Sequence, residues 1–226
     1  MKKIGLVGGI SWTSTLEYYR LINEGVNEKL GGLNFAECVI VSLNFDDIQK
    51  HTWENAYGLL REATQTLTQT DVDAIALCAN TAHLFADELR AGIGVPLIHI
   101  GEETAKTVQR SGLKKIGLLG TVHTMQKDFY KAKFHALGIE VLVPTLQETK
   151  NYIQQTLKEE LGRGVLREET KKNYIAIMNE LVAAGAEGIV LGCTEIPLLI
   201  KQTDVPVKVF DTIAIHVNAI VDFMVS

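Results

Sequence analysis

Three short loops contain the residues most able to do chemistry. Gly192-Cys193-Thr194-Glu195-Ile196-Pro197 sets a thiol, a hydroxyl and a carboxylate in three consecutive positions, and Cys78-Ala79-Asn80-Thr81-Ala82-His83 sets a thiol, an amide, a hydroxyl and an imidazole within six. Each loop follows a short apolar run and leads into a segment of helical pattern. Unpaired amides at a helix start carry partial positive charge, so they favour a carboxylate and lower a thiol below its usual pKa of roughly 8.5. On that ground Cys193 is expected to be an acid/base or nucleophile, the alternative being an inert structural thiol. Thr81 and Thr194 fall at or near cap positions, where a hydroxyl satisfies a backbone amide or joins those amides in holding a carboxylate. The third loop, Gly8-Gly9-Ile10-Ser11-Trp12-Thr13-Ser14, lets backbone approach a ligand closely. Its spacing is not the dinucleotide fingerprint and no phosphate-loop lysine follows, which leaves a carboxylate site or a plain strand-to-helix turn.

The elements that must position these loops follow from periodicity. Short β-rich runs alternate with longer stretches of helical period, the pattern of parallel strands covered by helices, so the fold class is α/β. Strands are expected at Ile4–Val7, Cys38–Leu43, Ala74–Leu77, Pro96–Ile100, Ile116–Leu119, Glu140–Val143, Gly188–Leu191 and Val207–Phe210, as two sheets of four. Leu16, Tyr19, Ile22, Val26 and Leu30 mark one amphipathic helix, capped near Thr13-Ser14, stopped at Gly31-Gly32, and expected to turn this stripe to the core. An internal repeat organises the rest. Lys2-Lys3-Ile4-Gly5-Leu6-Val7-Gly8 recurs as Lys114-Lys115-Ile116-Gly117-Leu118-Leu119-Gly120, offset by 112; Ala74–Ala79 recurs as Gly188–Cys193, offset by 114; Val95-Pro96 recurs as Val205-Pro206, offset by 110. Matches in one order at nearly constant offset imply a duplicated, doubly wound unit. The lobes are expected at 1–97 plus 207–226 and at 98–206, with Ile100–Ser111 as a connecting helix and a ligand cleft between the halves.

Composition narrows the partners. The chain has 226 residues, a formal charge of −5 and no run of Lys or Arg, which argues against a nucleic-acid or anionic-membrane binder. No apolar stretch approaches the roughly 20 residues that span a bilayer. Met1-Lys2-Lys3 imitates a signal peptide, but the run behind it meets Gly8-Gly9 after four residues, so a cytoplasmic protein is expected. Cys38, Cys78 and Cys193 lack paired spacing, which argues against disulfides and a metal site. A small soluble ligand fits best.

Gly8-Gly9, Asn80-Thr81-Ala82-His83, Gly192-Cys193-Thr194-Glu195 and Phe210-Asp211-Thr212 together resemble the signatures of the cofactor-independent aspartate/glutamate racemases, over essentially the whole chain. The resemblance implies a homodimeric isomerase that uses no pyridoxal phosphate. In it two cysteines, one from each duplicated lobe, take and return the α-proton of an amino acid on opposite faces. The second of those cysteines corresponds to Cys193. The first corresponds to Ala79, and the internal repeat agrees, because Cys193 pairs with Ala79 and Cys78 with Gly192. Side chains alternate along a strand, so Cys78 is expected to point away unless a bulge returns it to the site as a second acid/base.

The same resemblance assigns substrate contacts to Gly9, Ile10, Ser11, Asn80, Thr81 and Thr194. It places a basic residue for the substrate's distal group near Lys50 and another at Gly162, beside Arg163. Glu195 is expected to orient Cys193, accept an amino group or compensate a helix dipole, and His83 to be a buried support. Asp46 and Asp47 read as solvated or capping groups, the alternative being ligands of an ammonium group, and Cys38 reads as inert core. One thiol alone also suits a decarboxylase of a malonate-like acid, and the alanine suits a carboxylate-binding homologue without turnover.

Overall fold

A computed structural model describes residues 1–50, 53 and 56–226. The chain divides into two compact units, Met1–Ile100 with Ile213–Ser226, and Gly101–Thr212. The first unit holds β1 (Ile4–Gly8), α1 (Trp12–Leu30), β2 (Cys38–Ser42), α2 (Phe45–Lys50), α3 (Tyr57–Thr68), β3 (Ala74–Leu77), a 3-10 turn (Thr81–Phe85), α4 (Ala86–Ala91) and β4 (Leu97–Ile98). Helix α5 (Ile100–Arg110) carries the chain into the second unit, which adds β5 (Lys115–Gly120), α6 (Val122–Gln126), α7 (Asp128–His135), β6 (Glu140–Leu142), α8 (Gln147–Glu159), α9 (Glu168–Ala183), β7 (Gly188–Gly192), α10 (Ile196–Leu199) and β8 (Lys208–Asp211). Helix α11 (Thr212–Val225) returns to the first unit.

Both sheets are wholly parallel and repeat one strand order, β2-β1-β3-β4 and β6-β5-β7-β8. Placing the central pair by ladder gives Val7 opposite Leu77 in the first sheet and Gly120 opposite Gly192 in the second. The two-lobe α/β architecture read from the repeat is therefore what the chain adopts. One boundary moves. Strand β8, assigned by sequence to the first lobe, ladders with β7 from Gly188–Lys208 to Leu191–Asp211, so the second unit runs to Thr212 rather than 206.

Alternation along β3 sorts its side chains into two cores. Ala74, Ala76 and Cys78 pack with Tyr18, Ile22 and Val26 of α1 and Ile213, Val217 and Ile220 of α11. Ile75, Leu77 and Ala79 pack with Leu60, Ala63 and Leu67 of α3 and with Ile10 and Ile48. In the second unit Ile189 and Leu191 join Ile153, Leu157, Tyr174 and Met178, and Cys193 lies against that cluster. Parallel sheets buried on both faces require such apolar strands, and burying each Val, Leu or Ile contributes about 1.5–3 kcal/mol.

Helix α1 departs from expectation in two ways. Its cap is Ser11, whose side chain accepts from the Ser14 amide, rather than Thr13-Ser14; Gly31 ends it as expected. Its buried face is Tyr18, Ile22 and Val26 with Ser14 and Thr15, whereas Leu16 is 58% exposed and Tyr19 and Leu30 are exposed too. The stripe is rotated by about one residue because Tyr18, not Tyr19, has a buried partner for its hydroxyl, the Nδ1 of His216 at 2.8 Å. No helix among the described residues is long and apolar enough to cross a membrane.

Candidate active site

The second unit concentrates its reactive side chains at the end of β7. Gly192 closes the strand against Gly120, where a Cβ would lie 3.0 Å from the Leu119 carbonyl, so the loops after β5 and β7 come together backbone to backbone. Cys193 follows on the same face as Ile189 and Leu191 and is half-buried. Its thiol donates to Glu195 Oε2 at 3.0 Å, and the Thr194 hydroxyl donates to the same oxygen at 2.7 Å. Burial and then the Glu195 carboxylate push the thiol well above its ordinary range, outweighing the backbone amides of Thr194 and Glu195, which act the other way. This reverses the sign expected from sequence. Helix α10 is only four residues long with Glu195 as its cap residue, so its dipole is small, and the nearest full charge is negative. Cys193 thus shares its thiol proton in a hydrogen bond with a neighbouring carboxylate.

The matching loop of the first unit has no such group. Ala79 ends the face of Ile75 and Leu77, the counterpart of Cys193. Cys78 lies in the opposite core at 1% exposure, and burial raises its thiol far above the usual range. It is withdrawn as a second acid/base: no bulge interrupts the β1–β3 register, and a thiol sealed among Tyr18, Val26 and Ile213 meets no substrate. Asn80, rather than Thr81, is the cap position of the 3-10 turn; both are buried, and neither Asn80 here nor Glu195 in the second unit caps its helix with its side chain. His83 is buried with both ring nitrogens engaged, on Ala79 O at 2.9 Å and with the Ile100 amide at 3.3 Å. Cys38 is half-buried on β2 and its thiol is raised by burial.

The glycine loop is more self-contained than its sequence suggests. Gly9 has φ +80°, and an added Cβ would lie 2.0 Å from the Leu43 carbonyl oxygen, so a side chain is excluded both by torsion and by the backbone leaving β2. Its amide donates to Thr15 Oγ1 at 2.9 Å, and that hydroxyl donates to Ser11 O at 2.9 Å. The Gly9 and Ser14 amides are thus committed within the loop. Ile10 is buried in the core below, leaving only its backbone for a ligand, and Trp12 is 70% exposed. Thr15 was not evident from sequence as the residue that ties this turn. Nor was Thr121, which caps α6 by accepting from the Thr124 amide, although the repeat offset of 112 maps it onto Gly9.

The basic candidates are solvent groups. Lys50 is exposed and ion-paired with Asp46 one helical turn away, and Asp47 accepts from Asn44 Nδ2 at 3.1 Å. Arg163 is exposed on the short 3-10 turn Leu161–Arg163. Position 162 is shaped for glycine, since a Cβ there would sit 2.7 Å from the Leu157 carbonyl oxygen. Among the described residues no group of three or more His, Cys, Asp or Glu side chains is arranged to hold a metal ion.

Comparison with known proteins agrees with the two-lobe α/β fold. The family model for Asp/Glu/hydantoin racemases matches residues 7–220. A candidate Asp/Glu racemase from Yersinia pestis superposes with TM-score 0.93 at 39% identity, and an aspartate racemase homologue from Pyrococcus horikoshii OT3 with 0.87 at 36%, each over the whole of both chains. The broad specificity amino-acid racemase RacX of Bacillus subtilis is 28% identical over 151 residues, which are 66% of this chain and 63% of that protein. A glutamate racemase of Streptococcus pneumoniae is 29% identical over 158 residues, 68% of this chain and 54% of that protein. The chain thus matches less than two thirds of the length of either curated relative.

Proposed function

We propose, from the premise that this chain belongs to the Asp/Glu/hydantoin racemase family, that it is an amino-acid racemase without a cofactor in which Cys193 is the principal acid/base. The observation that carries this is the Cys193 thiol donating to Glu195 Oε2 at 3.0 Å. When substrate binds, the thiol proton passes to the Glu195 carboxylate and the thiolate takes the α-proton, restoring the thiol and leaving a carbanion conjugated with the substrate carboxylate. Donors around that carboxylate stabilise the charge, a role assigned to Asn80, Thr81 and Thr194 and to the backbone at Ile10 and Ser11, the Gly9 amide being held by Thr15 instead. Ala79 has no proton to give, so on the other face water returns it. Exchange of the α-proton therefore outpaces inversion. The homodimer implied by the family resemblance is part of the same proposal, and sedimentation at twice the monomer mass is the outcome expected of it.

The test is α-deuterium incorporation from heavy water across a panel of amino acids, read by mass spectrometry together with chiral chromatography. Exchange faster than inversion is expected, with a rate that does not climb with pH above neutrality, because the thiol proton moves to Glu195 within the site and none is released to solvent. Glu195→Gln removes both the proton acceptor and the charge that raises the thiol. The thiol must then ionise to solvent, so the rate becomes dependent on pH and climbs with it, while the rate at neutral pH falls, toward the lower end of the roughly 10²–10⁴-fold typical of a positioned acid or base. No exchange with any amino acid, and no effect of Cys193→Ala, overturn the proposal.

A second reading is supported by the protonated state of Cys193. A thiol already bearing its proton suits delivery to one face of a carbanion made by loss of carbon dioxide from a malonate-like acid, a reaction that needs no partner at Ala79. Carbon dioxide release from a malonate panel without α-exchange of amino acids selects that reaction. Amino-acid binding with neither outcome leaves a carboxylate-binding homologue.

A further inference from the structure

Three imidazoles are buried together in the first unit. His83 lies against His99 with ring centroids 4.5 Å apart and planes tilted by 54°, and meets His216 edge-on at 5.7 Å. His216 holds α1 through the Tyr18 hydroxyl at 2.8 Å and β4 through Ile98 O at 2.9 Å. The carbonyl of Ile98 accepts, so the proton of His216 is on Nε2 and its Nδ1 accepts from Tyr18. The same logic fixes His83. Its Nε2 accepts the Ile100 amide, so the proton sits on Nδ1 and is donated to the carbonyl of Ala79. Burial and the two neighbouring imidazoles keep that ring neutral.

His83 cannot be a catalytic residue, because both nitrogens are committed and the side chain is 1% exposed. What it holds is informative. The carbonyl it grips belongs to the residue that stands where Cys193 stands in the other half, and the same peptide group supplies the amide of Asn80. In a trans peptide the C=O and N–H point in opposite directions, so fixing one aims the other. We propose that His83 is a positioning residue that, by donating from Nδ1 to the Ala79 carbonyl, aims the Asn80 amide at the substrate's carboxylate. This rests on the assignment of the Asn80–Thr81 turn to substrate binding.

Two substitutions separate this from a packing role. His83→Asn keeps a donor near Nδ1 and drops the acceptor for Ile100, whereas His83→Gln keeps the acceptor near Nε2 and drops the donor to Ala79. Both open the same core. His83→Gln is expected to raise KM in the α-exchange assay, by up to about 100-fold for a binding group displaced by an ångström. His83→Asn should stay within a few-fold of the parent despite a similar fall in Tm. Backbone amide spectra give a readout that needs no turnover: the Asn80 resonance moves in the glutamine variant and holds in the asparagine variant. Equal losses in both variants that track Tm, or an Asn80 resonance that holds in both, overturn the proposal. If the parent protein exchanges no α-proton, the racemase assignment fails separately and the Asn80 resonance still decides the role of His83.

Discussion

The two halves of the chain fold alike and diverge at one strand end. After β7 the sequence delivers a thiol backed by a carboxylate; after β3, on the equivalent face, it delivers a methyl group backed by an imidazole cluster. The glycine-for-cysteine and alanine-for-cysteine matches of the repeat place Gly192 with Cys78 and Ala79 with Cys193, and the two cores confirm that pairing side by side. Duplication thus conserves the strand order and the loop positions while leaving the reactive atoms free to differ. Proton chemistry belongs to a few side chains on the scaffold, not to the scaffold.

The largest effect should come from breaking the chemical half. Cys193→Ala is expected to abolish α-deuterium exchange, near the upper end of the roughly 10²–10⁴-fold that a positioned acid/base supplies. The purified variant should retain the parent's Tm within a few degrees.

Acid should distinguish the halves next. His216 is buried and its pKa is lowered, by burial above all, to about 4. The unfolded ring has a pKa near roughly 6.5, so the unfolded chain binds the proton first and stability is lost as pH falls from about 6.5 to about 4. At about 1.4 kcal/mol per pH unit that amounts to about 3 kcal/mol. The second unit has only the half-buried His123 and the exposed His135, so hydrogen exchange at falling pH should open the first unit before the second. Urea titrations of His216→Asn, which cannot titrate, should show a flatter acid limb.

Ala79→Cys sharpens the contrast by repairing it. With a thiol on the missing face, inversion should approach the rate of exchange, a gain of up to about 10²-fold in racemisation measured by chiral chromatography. Exchange without any gain in inversion would mean that the two strand ends no longer serve one reaction.

The smallest effect concerns the paired glycine loops. Gly9→Thr forces a β-branched residue into φ +80° against the Leu43 backbone and should cost about 1–3 kcal/mol. Thr121→Gly removes a cap and should cost only a few tenths of a kcal/mol. Thermal melts of the two single variants read the difference.

Much of this was legible in sequence because it depends on pattern. All eight strands, the four-and-four grouping and the pairing of Cys193 with Ala79 follow from periodicity and the repeat. Hidden features depended on contacts distant in sequence or on burial. Tyr18 and Tyr19 are indistinguishable as letters until His216 arrives from α11 to claim one of them. The thiol of Cys193 reads as activated until its burial and the side chain of Glu195 are known. Gly162 reads as a lost basic residue, yet the Leu157 carbonyl leaves room for nothing larger.

The sealed position of Cys78 makes it a native reporter. An alkylating reagent in excess should modify Cys193 and Cys38 on the folded protein while leaving Cys78 untouched, so the time course of its labelling counts the openings of the core beneath α1 and α11. The first unit thereby carries its own unfolding clock, with no engineered probe.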